Sequence, residues 1–393
     1  MNKAIPFNKP CFVGPEMEYI RQAVANGKLS GNGEFTKRCQ RFFEERYGFK
    51  KCLLTTSCTD ALEMAAILSG VGPGDEVIVP SYTFVSSALA FVRTGATIVF
   101  ADSAADQPNI DADKIESLIT SRTKVIIPVH YAGCACEMDK IMAIAEKHSL
   151  IVVEDAAQAV DSFYHYSTSD SKLQTSNSKP LGGIGHLAAF SFHETKNINA
   201  GGEGGLLVIN DERFLRRAEI VWEKGTNRAE FFRGEVNKYG WVDTGSSFLA
   251  SELCAAYLWA QLENLEKIQN RRKAIWQRYY DSLKEVKVKL PVVPEYATNN
   301  AHAFYLLMPD LEKRTDFIAK MKARGISCPF HYLPLHSSEY ITSTSPSTSP
   351  STLNSFPNCD RYADCLVRLP LYYELSDEEV DTVIAAVAEC VGG

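Results

Sequence analysis

Asp155 closes the apolar run LIVVED, and 41 positions later Lys196 stands in AFSFHETKNINAGGEGG, a loop with an apolar run before it and glycines after it. Runs of this kind read as buried strands, and the loops that follow such strands are where an α/β sheet meets its ligand. A lysine amine there can condense with an aldehyde, and a carboxylate nearby can keep a pyridine nitrogen protonated so that the ring withdraws electrons. Together they are the pair that pyridoxal phosphate chemistry requires. Without supporting context the pair reads first as two solvated loop charges.

A third segment, KCLLTTSCTDALEMAAILSG, reads as a short strand, a hydroxylated turn and an amphipathic helix. Ser57 and Thr59 sit where the helix begins, with Cys58 between them offering its backbone N–H. Unpaired first-turn N–H groups and the positive end of the helix dipole make such a turn a phosphate site. The same residues also serve as a plain N-cap. The order anion turn, strand-end Asp, loop Lys is what separates the two readings.

The elements that must position these groups are strands alternating with helices from about residue 50 to 210. DEVIVPSYTF, TIVFADS, KVIIPVHY, LIVVEDAA, HLAAFSF and GGLLVIN are the strand candidates, with DKIESLIT and MDKIMAIAEKHS among the helices between them. The pattern predicts an α/β fold with a mainly parallel, helix-covered sheet. Beyond the helical SELCAAYLWAQLENLEKIQNRRKAIWQRYYDSL the elements become shorter, with AHAFYLLMP as a strand and RTDFIAKMKARG as a helix ending at Gly325. The expected organisation is a large domain with an N-terminal arm over 1–250 and a smaller α+β domain over 251–393. Ser-rich stretches at 167–180 and 342–352 have no apolar periodicity and are expected as exposed loops, the first a decorated hairpin or a gate.

At 393 residues and 45% hydrophobic, the chain can bury a large core. A net charge of −7 without any Lys/Arg-rich run argues against a nucleic-acid binder. No apolar stretch reaches membrane-spanning length and MNKAIPFNKP has no signal-peptide core, so a cytoplasmic protein with no membrane partner is expected. The eleven cysteines are odd in number and scattered, as in reduced cytosolic proteins, and Cys134 and Cys136 form a bare C-x-C that predicts no metal.

From FNKPCFVGPE to RLPLYYELSDEE the chain resembles the DegT/DnrJ/EryC1/StrS family of pyridoxal phosphate sugar aminotransferases, through GKLSGNGEFTKRCQ, PSYTFVSSALAF, VIIPVHYAGCACEMD, VVEDAAQ, FSFHETKN, AGGEGG and EKGTNRAEFFRG. The resemblance implies transferase fold type I, the aspartate aminotransferase-like architecture, working as a homodimer with shared sites. It implies pyridoxal 5′-phosphate tethered to Lys196, which then serves as proton carrier, with Asp155 on the pyridine nitrogen and Gln158 on the phenolic oxygen. Phe84 would stack on the ring, with Tyr82 as second candidate, and Ser57, Cys58, Thr59 and Ser191 would hold the phosphate. His193 is a further candidate at the border of the cofactor. Many relatives add an asparagine from the other subunit; here DTGSSFLASEL offers Ser246 or Ser247 instead.

A nucleotide-linked keto sugar needs cations for its diphosphate, and EKGTNRAEFFRGEVNKYGW offers Arg228, Arg233 and Lys238. Gly31 and His331 match segments that line the sugar pocket. The implied reaction moves an amino group from L-glutamate to C4 of dTDP-4-oxo-6-deoxyglucose, giving the galacto-configured 4-amino sugar for cell-surface polysaccharide. A 3-oxo acceptor and the gluco-configured product stay open. A sugar dehydratase of this fold carries histidine in place of the lysine, which Lys196 opposes, and a non-catalytic regulator would not need Asp155, Gln158 and Lys196 together.

Overall fold

The structure, a computed structural model, describes residues 4–166, 178–344 and 355–392. In chain order its strands are β1 (Lys51–Thr55), β2 (Glu76–Pro80), β3 (Thr97–Ala101), β4 (Thr123–Ile126), β5 (Ile151–Asp155), a short hairpin of β6 (Phe163–His165) and β7 (Ser178–Pro180), then β8 (Leu187–Ser191) and β9 (Gly205–Ile209). Seven of these form one sheet in the order β1-β9-β8-β5-β4-β2-β3. Neighbours from β3 to β8 are parallel, while β9 runs antiparallel to both β8 and β1. Connections explain the difference: helices such as Cys58–Ser69, Ser86–Val92 and Met138–His148 cross over between parallel strands, whereas the irregular loop 192–204 turns the chain straight back. The mainly parallel, helix-covered α/β sheet expected of the sequence is the architecture observed.

Every residue of β2, β8 and β9 is buried, which is why these strands read as unbroken apolar runs rather than as alternation. Successive side chains feed opposite cores. Val152 and Leu206 join Phe43, Ile141 and Phe190 on one face, while Val153 and Leu207 join Leu62, Val79 and Phe91 on the other. The strand directions bring the carboxyl ends of β1, β5 and β8 to the same edge of the sheet.

A smaller layer is built on the antiparallel pair β10 (Phe304–Leu307) and β11 (Leu366–Leu369) and has its own core of Ile275, Phe304, Phe317, Val383 and Val387. The helix Leu265–Leu283 serves both layers, giving Leu265 and Ile268 to the first core and Ile275, Tyr279 and Leu283 to the other. Packing therefore changes hands inside this helix; an uninterrupted amphipathic helix carries no compositional mark of the handover. We propose the middle of that helix as the division. The N-terminal arm also joins the smaller layer, since Ile5 donates to the Gly325 carbonyl at 2.9 Å and accepts from the Ser327 N–H at 3.0 Å.

Of the first Ser-rich stretch, residues 167–177 lie outside the described residues and Ser178–Pro180 form β7. Of the second, residues 345–352 lie outside them and 342–344 end the helix Glu339–Thr344. Among the described residues no helix is long and apolar enough to cross a membrane.

Candidate active site

Three strand ends build the site. β1 stops at Thr55, and Ser57, in extended conformation, caps the helix Cys58–Ser69 by accepting from the Asp60 N–H at 3.0 Å. The first-turn N–H groups have no acceptor within the helix and present a positive end. Gly205, the first residue of β9, passes directly beneath: a Cβ there would overlap the Ser57 carbonyl and the Cys58 nitrogen. Thr59 Oγ1 lies 2.8 Å from Ser86 Oγ, and Ser191, at the end of β8, takes the His193 N–H on its hydroxyl at 3.3 Å.

Asp155 ends β5 on the adjacent strand and is 4% exposed. The Ser87 hydroxyl donates to its Oδ2 at 2.6 Å, and the Ala157 N–H donates to Oδ1 at 3.1 Å. Gln158 is held from two sides: its Oε1 accepts from the Ala132 N–H at 2.6 Å and its Nε2 donates to the Tyr332 hydroxyl at 3.0 Å.

Lys196 sits in the loop between β8 and β9, its backbone N–H bonded to the His193 carbonyl at 2.9 Å. Burial pushes its amine below the usual lysine range, only partly opposed by Cys58 and Asp155. Among the described residues its Nζ has no hydrogen bond or ion pair. Burial, together with the charges of Lys196 and Arg368, also drives His302 and His331 well below the ordinary imidazole range. The tautomer of His302 follows from its partner. Asn197 spends its amide on Gln269 Oε1 and the Asn300 carbonyl, so its oxygen accepts from His302 Nδ1 at 2.9 Å, leaving Nε2 bare.

Ser57, Cys58, Thr59, Phe84, Asp155, Gln158, Ser191, His193, Lys196 and His331 all line one cavity of about 690 Å³. Phe84 is 55% exposed at its wall, 6.2 Å from the Tyr332 ring. Tyr82 is buried behind it, donating to the His331 carbonyl. The wall also holds residues that sequence reasoning passed over: Tyr332, Glu203, His302 and Arg368. Ser87 stands in PSYTFVSSALAF and Arg368 in RLPLYYELS, and nothing in a linear sequence says that they turn toward Asp155 and Lys196. This donor set fits pyridoxal phosphate: hydroxyls and helix N–H groups for the phosphate, a carboxylate for the ring nitrogen, an aromatic wall, and an amine for the aldehyde.

The remaining candidates are not brought to that cavity by one chain. Gly31, Arg228, Arg233 and Ser247 line a second cavity of about 980 Å³, and Lys238 lines neither. Arg233 is paired with Glu219 and Glu235 at 2.8 and 2.7 Å, and Arg228 lies 3.9 Å from Glu223. Cys136 donates its thiol to the Val129 carbonyl at 3.3 Å, and the described group with metal-ligand spacing, His336, Cys359 and Asp360, lines neither cavity.

Comparison with known proteins agrees with this geometry. Residues 10–388 match the family model described as the DegT/DnrJ/EryC1/StrS aminotransferase family. The chain is 34% identical, over 100% of its length and 98% of the relative's, to the spore coat polysaccharide biosynthesis protein SpsC of Bacillus subtilis (strain 168). It is also similar to the putative sugar aminotransferase Spr1654 from Streptococcus pneumoniae in its PMP form, at a TM-score of 0.88 and 27% identity over 99% of this chain and 98% of that one. The PLP form of the same protein gives a TM-score of 0.87. DesV of S. venezuelae, in complex with a ketimine intermediate, gives 0.84 at 29% identity over 96% and 94% of the two chains. The chain is a pyridoxal 5′-phosphate protein and belongs to the DegT/DnrJ/EryC1/StrS family of sugar aminotransferases.

Proposed function

We propose that the protein moves an amino group from L-glutamate to C4 of dTDP-4-oxo-6-deoxy-D-glucose, giving dTDP-4-amino-4,6-dideoxy-D-galactose. The observation that carries amino transfer is the free Lys196 amine and the Asp155 carboxylate facing one cavity from adjacent strand ends. When bound, the cofactor supplies an electron-withdrawing ring that stabilises negative charge on the carbon losing its proton. Lys196, with its lowered proton affinity, takes that proton and returns it, while Asp155, fixed by Ser87 and Ala157, keeps positive charge on the ring nitrogen. Gln158 offers a neutral amide to the phenolic oxygen, which orients without adding charge. The amino acid leaves as its 2-oxo acid and the keto sugar as the amino sugar, so the exchange needs no further oxidant.

The choice of sugar nucleotide is supported by the second cavity. The segments GKLSGNG and EKGTNRAEFFRG, distant in the chain, meet there through Gly31, Arg228 and Arg233. A homodimer is supported by the separation of that cavity from Lys196 within one chain, and by exposed aromatics, Phe232 in its lining at 69% and Trp241 at 84%. A second copy would cover these rings and bring its own cations to the Lys196 cavity. Incubation with dTDP-4-oxo-6-deoxyglucose and glutamate, with the configuration at C4 read by NMR, tests the assignment. An axial amine is expected; an equatorial amine refutes the galacto product, and amination only of a 3-oxo sugar refutes the substrate.

A further inference from the structure

Outside both cavities, three side chains with metal-ligand chemistry converge: His336 on the short turn Leu335–Ser337, and Cys359 and Asp360 in the first turn of the helix Pro357–Cys365. An imidazole nitrogen, a thiol sulfur and a carboxylate oxygen lie there within 4.8 Å of one another. His336 Nε2 stands 3.4 Å from Asp360 Oδ1. That is beyond the ordinary hydrogen-bond range, yet two ligands about 2.1 Å from a tetrahedral ion are roughly 3.4 Å apart. His130, close to Cys136 and Glu154, shows the opposite case. Its Nε2 is 2.9 Å from Glu154 Oε2 and its Nδ1 accepts from the Cys136 N–H at 3.2 Å, so neither nitrogen is left for an ion.

The large layer holds the ligands in place. Ser81, directly after β2, accepts the His336 backbone N–H at 3.1 Å, and its Oγ lies 2.8 Å from His336 Nδ1. The same hydroxyl is the hydrogen-bond partner of Cys359. It has one proton; given to sulfur, this leaves Oγ to accept from Nδ1–H, and Nε2 keeps its lone pair. Asp102, directly after β3, takes the N–H groups of Asn358 and Cys359 at 3.3 and 2.8 Å. Its negative charge answers the positive helix end that would otherwise oppose a cation beside Cys359. The Phe356 ring stacks on the imidazole at 4.2 Å. Cys359 is fully buried and the Asp360 side chain is half exposed, so the group opens to solvent at Asp360.

We propose that His336, Cys359 and Asp360 bind one zinc ion. Sulfur, nitrogen and oxygen donors together suit zinc, and three protein ligands leave one position for water, which reaches the group past Asp360. On binding, the Cys359 sulfur gives its proton to solvent and takes the ion in its place. An open fourth position is usual where zinc acts on a substrate, but these ligands line neither cavity, so the ion serves here as a clamp. It joins the turn that follows His331 and Tyr332, both in the wall of the Lys196 cavity, to the helix that leads into β11. Through Ser81 and Asp102 it secures both to the ends of β2 and β3.

The full chain, loaded with pyridoxal phosphate and stripped of metal by a chelator, is titrated with cobalt(II), whose tetrahedral form has intense visible bands at longer wavelengths than the cofactor. One equivalent per chain should develop these bands, and zinc should abolish them. Cys359→Ser and Asp360→Asn should each weaken zinc binding by at least about 100-fold, more than the roughly 10-fold expected of Ser81→Ala, which touches the ligands and not the ion. Zinc should raise the Tm of wild type and leave that of Asp360→Asn unmoved. Because Asp360 is half exposed, its variant decides the matter where Cys359→Ser fails to fold. Absence of tetrahedral bands at one equivalent would overturn the proposal, as would zinc affinity in Asp360→Asn, or in folded Cys359→Ser, equal to that of wild type.

Discussion

The Ser87 hydroxyl donates to Asp155 Oδ2 at 2.6 Å in the buried ground between two strand ends. With the Ala157 N–H on Oδ1, it fixes the plane of the carboxylate before a cofactor arrives. Ser87→Ala removes one hydrogen bond to a buried charge, worth about 1.5–3 kcal/mol, so turnover should fall about 10-fold or more with the cofactor retained. Asp155→Asn should keep the cofactor too, but slow turnover by at least about 100-fold, since the ring nitrogen loses its counter-charge. Absorbance of the bound cofactor and single-turnover rates check both; a fully active Asp155→Asn protein would remove the residue from its role.

Gly205 makes room for the phosphate turn. Alanine there must push the Ser57 carbonyl and Cys58 nitrogen, costing about 1–3 kcal/mol, and the shift falls on the groups placed to hold the phosphate. A lower Tm accompanied by weaker uptake of pyridoxal phosphate by apoprotein is expected. A lower Tm with unchanged uptake would separate the turn from phosphate binding.

Acid stability should depend on Glu154, the residue before Asp155. Burial alone pushes its carboxyl up, but His130 Nε2 at 2.9 Å and the N–H groups of Gly182, Ile184 and Gly185 outweigh it and hold it below the usual range. A depressed folded value means that the unfolded chain binds the proton more readily. The contribution is therefore complete above the unfolded value of about 4.3 and fades as pH falls through the folded one. Glu154→Gln should cost about 3 kcal/mol at neutral pH, because His130 loses its partner, and the gap from wild type should narrow below about pH 4. Denaturant titrations at both pH values decide it; a pH-independent gap would contradict the linkage.

Subunit mixing tests the shared site. Lys196→Ala and Arg233→Ala should each be inactive alone, and mixed dimers should recover roughly a quarter to a half of wild-type activity, since one intact site forms per heterodimer. No recovery would confine Arg233 to its own subunit or to its ion pairs with Glu219 and Glu235.

Much of this was legible in the chain because its strands are buried on both faces: EVIVP, LAAFS and GLLVI leave little else to be. Asp155 and Lys196 were legible because strand ends and glycine-flanked loops mark where a sheet opens. Arg368 and Tyr332 were not, since they reach the cavity from the smaller layer, more than 130 residues after Lys196 and through tertiary packing alone. The handover between cores was hidden inside one continuous helix. Gly31, Arg228 and Arg233 lie around a cavity of their own, a separation that local sequence could not express.

The most direct test is transfer of the nitrogen itself. With ¹⁵N-labelled glutamate and dTDP-4-oxo-6-deoxyglucose, the wild-type protein should give a sugar nucleotide carrying ¹⁵N on C4, and Lys196→Ala should give none although its phosphate turn and Asp155 remain. Incorporation by Lys196→Ala at the wild-type rate, or a wild-type protein that leaves all of the label on glutamate, would contradict the account.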